Sequence, residues 1–405
     1  MTTDRPVRFL DRTSPPHIAT LILMAGLSAL AMNIFLPSLP GMVAHFDTEY
    51  RLIQLSVALY LAVNAGLQLL MGPISDRWGR RPVVLWGVGL FLVATLGCIF
   101  APTVTVFLSF RMIQASVVVA MVLSRAIVRD MVPQDRAASM IGYVTMGMAV
   151  VPMIGPAFGG LLDEAFGWQA NFWALFVLGG ALFWLCWRDL GETAPLSGRS
   201  LVQQFREYPA LLRSWRFWGY ALAAGLSSGS FFAYLGGAPF VGDQVFGMPP
   251  ALLGLFFGAP AIGYFLGNFA SGRFSTRIGV NRMVLWGSMF NAGGIGLNLT
   301  LFYLGYGTPL SFFGLMTFMG LGNGMVIPNA TAGALSIRPD LAGTASGLSG
   351  ALMIGIGAAL SALAGLLLTP GSGAFPLLWL MFLTGLAAVG TILLVIRRER
   401  RLRMA

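Results

Sequence analysis

The chain has 405 residues, of which 57% are apolar and 10% charged, and its net charge is +10. That balance is far from a soluble domain's and leaves no room for a large catalytic or nucleotide-binding module. With two cysteines, two histidines and no GxxxxGK[ST] run, no disulfide framework, metal site, cofactor or on-chain ATPase is expected.

After a polar start that lacks the form of a signal peptide, twelve apolar stretches follow one another: residues 17–40, 52–72, 83–101, 103–128, 137–162, 169–188, 215–241, 250–272, 283–304, 308–336, 341–368 and 375–397. Each is near the roughly 20 residues that cross a bilayer as a helix. The expected architecture is an all-α polytopic membrane protein, with spans 1–6 in a first bundle (1–188) and spans 7–12 in a second (215–405). A cytoplasmic loop at 189–214 joins them; within it Leu201–Tyr208 reads either as an interfacial amphipathic helix or as plain linker.

The halves are related by sequence. Residues 72–87, GPISDRWGRRPVVLWG, return at 272–287 as GRFSTRIGVNRMVLWG. Gly72, Ser75, Arg77, Gly79 and the run Val84–Gly87 have identical partners at Gly272, Ser275, Arg277, Gly279 and Val284–Gly287. Each copy reads as a short basic loop between two spans. Duplicated halves in a membrane are an architecture for moving a solute across it.

All basic residues are Arg. With the N-terminus in the cytoplasm, every Arg except Arg51, in an outer loop, and Arg111, inside span 4, falls on the cytoplasmic side. The positive charge therefore describes topology and contact with anionic lipid, and no nucleic-acid partner is expected. Both termini are placed inside.

Three groups carry mechanism. In the Gly72–Arg81 loop, Gly72 and Gly79 allow a tight turn, while Arg77, Arg80 and Arg81 anchor the inner surface. Asp76 can meet a helix N-terminus or an Arg. Asp130, in the run Arg125-Ala126-Ile127-Val128-Arg129-Asp130, is the natural partner for one of those Arg side chains. Such a latch would close the inner side and break as the halves rock; the other reading is a purely topogenic loop. In span 5, Gly147, Gly155, Pro156, Gly159 and Gly160 are spaced for close helix crossing and a bend, or for ordinary packing. In span 4, Arg111 is a buried charge that either faces the bundle interior, with Gln114 one turn on, or snorkels to the outer surface.

The Gly72–Arg81 loop, repeated in degenerate form after span 8, resembles the signature of the major facilitator superfamily. Further pieces sharpen the likeness: Phe35-Leu36-Pro37-Ser38-Leu39-Pro40, Ser124–Asp130, Gly237-Ala238-Pro239-Phe240-Val241, Asn329 and Ala342–Ser346. Together they resemble the bicyclomycin/chloramphenicol-resistance (Bcr/CflA) branch of drug:proton antiporters. The resemblance implies a bacterial inner-membrane exporter, a monomer in the bilayer, driven by the proton gradient. It implies a proton-coupling role for Arg111 and an exporter's glycine–proline pattern in span 5.

One position departs from the branch, which commonly has an Asp where this chain has Asn33. No other acid falls near the middle of a span. Coupling is then expected through Asp76, Asp130 or the outer acids Asp163, Glu164 and Asp243, or it is lost, leaving a facilitator or exchanger. The cavity field is expected to be neutral or positive, favouring neutral or anionic substrates over lipophilic cations. Candidate cavity residues are Asn33, Tyr60, Asn64, Gln68, Gln114, Tyr143, Phe231, Tyr234, Tyr264, Asn268 and Asn323. The expected function is export of small drug-like molecules by alternating access, with a dedicated metabolite exporter as the alternative; no enzymatic activity is expected.

Overall fold

The structure, a computed structural model, describes residues 8–131, 154–193, 211–337 and 342–404, with single positions 140, 144, 151 and 209 between them. Lipid offers no hydrogen-bond partner to a bare backbone, so the spanning segments satisfy their polar groups internally as helices. The helices are α1 (Ile18–Asn33, continued through a tight turn at Leu36–Ser38 to Leu39–His45), α2 (Tyr50–Trp78), α3 (Arg80–Ile99) and α4 (Val104–Gln114 and Val118–Met131). Next come α5 (154–166), α6 (Gln169–Asp189), α7 (Trp215–Phe240) and α8 (Pro250–Phe256 and Ala259–Ile278). The chain ends with α9 (Val280–Tyr303), α10 (Pro309–Leu335), α11 (Ala342–Leu367) and α12 (Phe375–Met404). Among the described residues, nine helical stretches are long and apolar enough to cross a membrane.

Two sequence expectations change. The repeated basic segments are not loops: α2 continues as helix to Trp78 and α8 to Ile278, and α3 and α9 start at Arg80 and Val280. A single glycine makes each turn, Gly79 at φ +93° and Gly279 at φ +89°. The equivalence read from the repeat is thus conformational, because L residues with a side chain avoid that region. Gly72, by contrast, lies within helix, and a Cβ there would meet nothing within 4 Å. Most of the linker expected at 189–214, Leu201–Tyr208 included, lies outside the described residues.

In the first bundle α1 packs on α4 and α6, and α3 packs on α4 and α6; in the second, α10 packs on α8 and α9, and α7 on α11 and α12. The bundles touch along α2–α11 and at α5–α8, where the contact is backbone on backbone. A Cβ on Gly160 would overlap the Pro250 carbonyl, and one on Gly254 would overlap the Pro156 carbonyl. On its other side α5 presses Gly159 against the Ile34 carbonyl of α1. The small residues of span 5 therefore serve close crossings on two faces.

At the end opposite the Arg-rich turns, α2 closes the gap between bundles. The Tyr50 hydroxyl donates to the Gly236 carbonyl (2.7 Å), and one turn on Gln54 Nε2 donates to Ser361 Oγ (2.8 Å). The Gln54 side chain is fully buried and lies where Cβ atoms on Gly236 of α7 and Gly365 of α11 would have to go.

Gly365→Val should expel Gln54 and separate the bundles at this end. Spin labels on the exposed Glu49 and Gln244 should then show a population at longer distance; an unchanged distance distribution would refute the role of this slot. Gly279→Ala should cost about 1 kcal/mol from backbone strain alone. Gly79→Ala should lower the apparent melting temperature in detergent further, because its Cβ would also displace the Glu192 carboxylate.

Candidate functional site

Because the bundles meet at one end and diverge toward the other, a cavity of about 950 Å³ lies between them. It runs from Met32, Phe232 and Phe257 in the middle of the molecule to Asp76, Arg80 and Asp130 at the Arg-rich end. Of the residues named from sequence, Asn64, Gln68, Phe231, Tyr264 and Asn323 line it. Asn33, Tyr60, Gln114 and Tyr234 are buried behind its wall. Asn268 also lies outside the lining and donates to the Tyr264 carbonyl (2.8 Å). Tyr143, Gly147 and the side chain of Arg129 lie outside the described residues. Gly155, Pro156 and Gly159 sit at the closed end, Gly155 facing Leu30 and Asn33 of α1.

At the mouth, Arg80 joins the two acids. Its Nη1 is 2.6 Å from Asp76 and its Nε 3.0 Å from Asp130. Nη1 also reaches Ser75 Oγ, whose hydroxyl donates to the Gly72 carbonyl. The positive φ at Gly79 starts α3 at Arg80, one turn from Asp76, while Asp130 comes from the end of α4. Arg81 instead reaches the Trp187 carbonyl (3.1 Å), and Arg77 is exposed. The expected ion pair between an Arg of this segment and Asp130 therefore forms, but all of its members belong to the first bundle, and it is intact while, among the described residues, this end of the cavity is uncovered. It does not tie one bundle to the other.

Three acids that sequence reading passed over complete the helix ends. Glu192, just past α6, accepts the N–H groups of Arg80 (2.8 Å) and Arg81 (3.3 Å), placing a carboxylate on the N-terminus of α3. The fully buried Asp189 accepts the N–H groups of Leu10 and His17 and the Thr20 hydroxyl, fixing the start of α1 to the end of α6. In the second bundle Glu399, near the end of α12, accepts from Arg216 Nη2 (2.7 Å) and Asn281 Nδ2 (2.6 Å), and the Tyr220 hydroxyl donates to Asn281 Oδ1 (2.7 Å). Tyr220 itself lines the cavity. The repeat holds a signal for this pair of arrangements, since Asn281 stands where Arg81 stands in the first copy.

Arg111 is 1% exposed and faces the interior of the first bundle. Its guanidinium lies between the rings of Phe35 (4.3 Å) and Tyr60 (4.2 Å). One Nη donates to Gln114 Oε1 and the other to the Ala31 carbonyl (2.8 Å). Gln114 is held in turn by donating to Thr95 Oγ1 (2.8 Å). No carboxylate of the described residues pairs with it. Desolvated cation–π contacts are worth about 2 kcal/mol each, so two rings and a carbonyl offset part of the cost of burying this charge. Asn33 turns elsewhere: its Nδ2 donates to the Ala29 carbonyl (2.7 Å). The cysteines are buried and unbridged.

A cavity of this size, walled by aromatic rings and a few amides, suits a small organic solute. Residues 21–362 match the family model described as Major Facilitator Superfamily. The chain is similar to multidrug resistance protein D of Escherichia coli (strain K12), 30% identical over 91% of this chain and 93% of that one. It is also similar to a chloramphenicol resistance protein of Pseudomonas aeruginosa, 32% identical over 84% of this chain and 83% of that one. Its fold is that of the crystal structure of a D-xylose–proton symporter, with a TM-score of 0.74 at 16% identity, covering 92% of this chain and 96% of the other. Repeated bundles, glycine turns and an inter-bundle cavity thus agree with the matches: the chain belongs to the major facilitator superfamily of membrane transporters, in its bicyclomycin/chloramphenicol-resistance branch.

Proposed function

We propose that this transporter exports small, neutral or anionic drug-like molecules across a bacterial inner membrane by alternating access, with protons moving the opposite way. The observation that carries the reading is the cavity: among the described residues it lies between the bundles, is closed by Tyr50 and Gln54 at one end, and opens at the Arg-rich end. With the Arg-rich end in the cytoplasm, a molecule enters from inside the cell and leaves when the Gln54 slot opens. The names of the relatives, a multidrug and a chloramphenicol resistance protein, support drugs as cargo. The protein works as a monomer in the bilayer.

The lining favours uncharged cargo. Its only described carboxylates, Asp76 and Asp130, sit at the mouth and are both engaged by Arg80. A lipophilic cation therefore finds aromatic faces but no open carboxylate deeper in. The same two acids are the described carboxylates that touch the cavity, so coupling runs through them: protonating either one weakens its hold on Arg80 and loosens the α2–α3–α4 junction. A second reading, an uncoupled facilitator or exchanger, is favoured by one observation, the amide of Asn33 where the branch commonly has an acid.

Uptake into inverted membrane vesicles separates these readings. An acid interior should speed chloramphenicol uptake severalfold and ethidium uptake little. Asp76→Asn and Asp130→Asn should each abolish the gradient's effect. Uptake that ignores the gradient in the wild type would leave the facilitator, and no uptake of chloramphenicol by either route would remove drug export.

A further inference from the structure

Asn323 of α10 lines the cavity with a side chain that is nearly buried, 4% exposed. Which end of its amide faces a ligand is set by a hydrogen-bond chain behind it. Asn291 of α9 donates Nδ2 to the backbone carbonyl of Ser227 (3.2 Å). A carbonyl only accepts, so this end of Asn291 is the NH₂. The same Nδ2 reaches Ser227 Oγ (3.2 Å). In the structure that hydroxyl accepts there and gives its one proton to Asn323 Oδ1 (2.7 Å). Ser227 and Asn291 are fully buried, so water does not compete for these bonds.

The oxygen of Asn323 is thereby taken, and its NH₂ is the end left for the cavity. Among the described residues Nδ2 has no hydrogen-bond partner, and it is not one of the sealed-off orphan atoms. Two serine hydroxyls of the second bundle's lining are spent on their own helices. Ser228 donates to the Ala224 carbonyl (2.8 Å), and Ser349 to that of Ser346 (3.2 Å). On the facing wall Gln68 Nε2 donates to Asn64 Oδ1 (2.9 Å), which leaves Asn64 Nδ2 as an unbonded donor group and Gln68 Oε1 as an unbonded acceptor among the described residues.

We propose that Asn323 is a specificity-determining hydrogen-bond donor for neutral ligands that carry an acceptor oxygen, such as a nitro, carbonyl or sulfonyl group. Ser227 and Asn291 are positioning residues that hold the donor toward the cavity. A ligand offering only N–H groups meets donor with donor and leaves the amide unsatisfied, which costs more than a good bond contributes. This rests on the reading of the cavity as a drug site and names the chemistry of its cargo.

The test is chloramphenicol binding to the full-length protein in lipid nanodiscs, followed by titration and by infrared difference spectroscopy. The nitro and amide-carbonyl bands of the ligand report hydrogen bonding separately. In the wild type one of them should move to lower frequency on binding. Asn323→Leu should abolish that shift and weaken affinity about tenfold, the scale of one lost neutral hydrogen bond. Ser227→Ala leaves Asn323 in place but frees its amide to turn, and should reduce both the shift and the affinity while a cation such as ethidium binds no worse. Saturable binding with neither band shifted, or a shift that persists in both variants, overturns the proposal and leaves the drug site standing. No saturable binding by the wild type overturns the drug-site reading, and the proposal falls with it.

Discussion

Two backbones in direct contact set the geometry of this molecule. At the α5–α8 crossing, Pro156 and Gly160 face Pro250 and Gly254, each glycine lying under the other helix's proline carbonyl. No side chain stands between, so the distance of approach is fixed by main-chain atoms that cannot adjust. The α2–α11 contact adds a second fixed line, with Gln54 seated between glycines. The cavity is what remains once the bundles are pinned along these lines at one end. Its aromatic and amide lining is then a matter of which helix faces happen to border the wedge.

The two bundles solve the problem of charge in a membrane differently. The first keeps its deep cation, Arg111, without a carboxylate, held by two rings, an amide and a carbonyl. Its second buried arginine, Arg80, sits at the membrane edge and carries two carboxylates. The corresponding place in the second bundle holds Val280, with Thr276 in place of Asp76. Charge pairing there moves to Arg216 and Glu399, between the start of α7 and the end of α12. Where a side chain can reach water or headgroups, ion pairs form; where it cannot, a neutral cradle avoids bringing a second charge out of water. Asn33 fits that rule, since an amide in its place adds no further desolvated charge to a bundle that already holds Arg111.

Much of this was legible in the sequence, for physical reasons that can be named. The repeat at 72–87 and 272–287 located both glycine turns, because only that residue tolerates the conformation. Arg111 was legible as an interior charge because a lone charge inside an apolar span has few places to go. The helical course of residues 72–78 is not legible: charge density marks the membrane edge but not the end of the helix, and α2 simply projects past it. Asp189, Glu192 and Glu399 were passed over because each bonds to partners far along the chain. Nothing in the local run around an acid tells a capping carboxylate from a solvated one. The cavity list mixed lining residues with buried ones for a similar reason. Asn64 and Tyr60 lie one helical turn apart on nearly the same face of α2, and only what packs opposite each of them decides that Asn64 meets the cavity and Tyr60 the guanidinium of Arg111.

That last distinction bears on how such a site discriminates. A cavity wide enough for varied solutes cannot select by shape, and aromatic walls accept any flat apolar surface. Selectivity must then come from the few polar groups whose direction is fixed. An amide that rotates freely offers either end to a ligand and discriminates little. An amide whose oxygen is held from behind offers one end only. Asn323 is of the second kind, since Ser227 is locked by Asn291 against a backbone carbonyl that cannot exchange roles. The Asn64–Gln68 pair is of the first kind, because among the described residues the two amides bond only to each other and can reverse together. One wall therefore adapts while the other sets a condition. In the proposed arrangement the group that meets the ligand is Asn323 itself, and what gives it a direction is the buried pair Ser227 and Asn291 in the layer behind it.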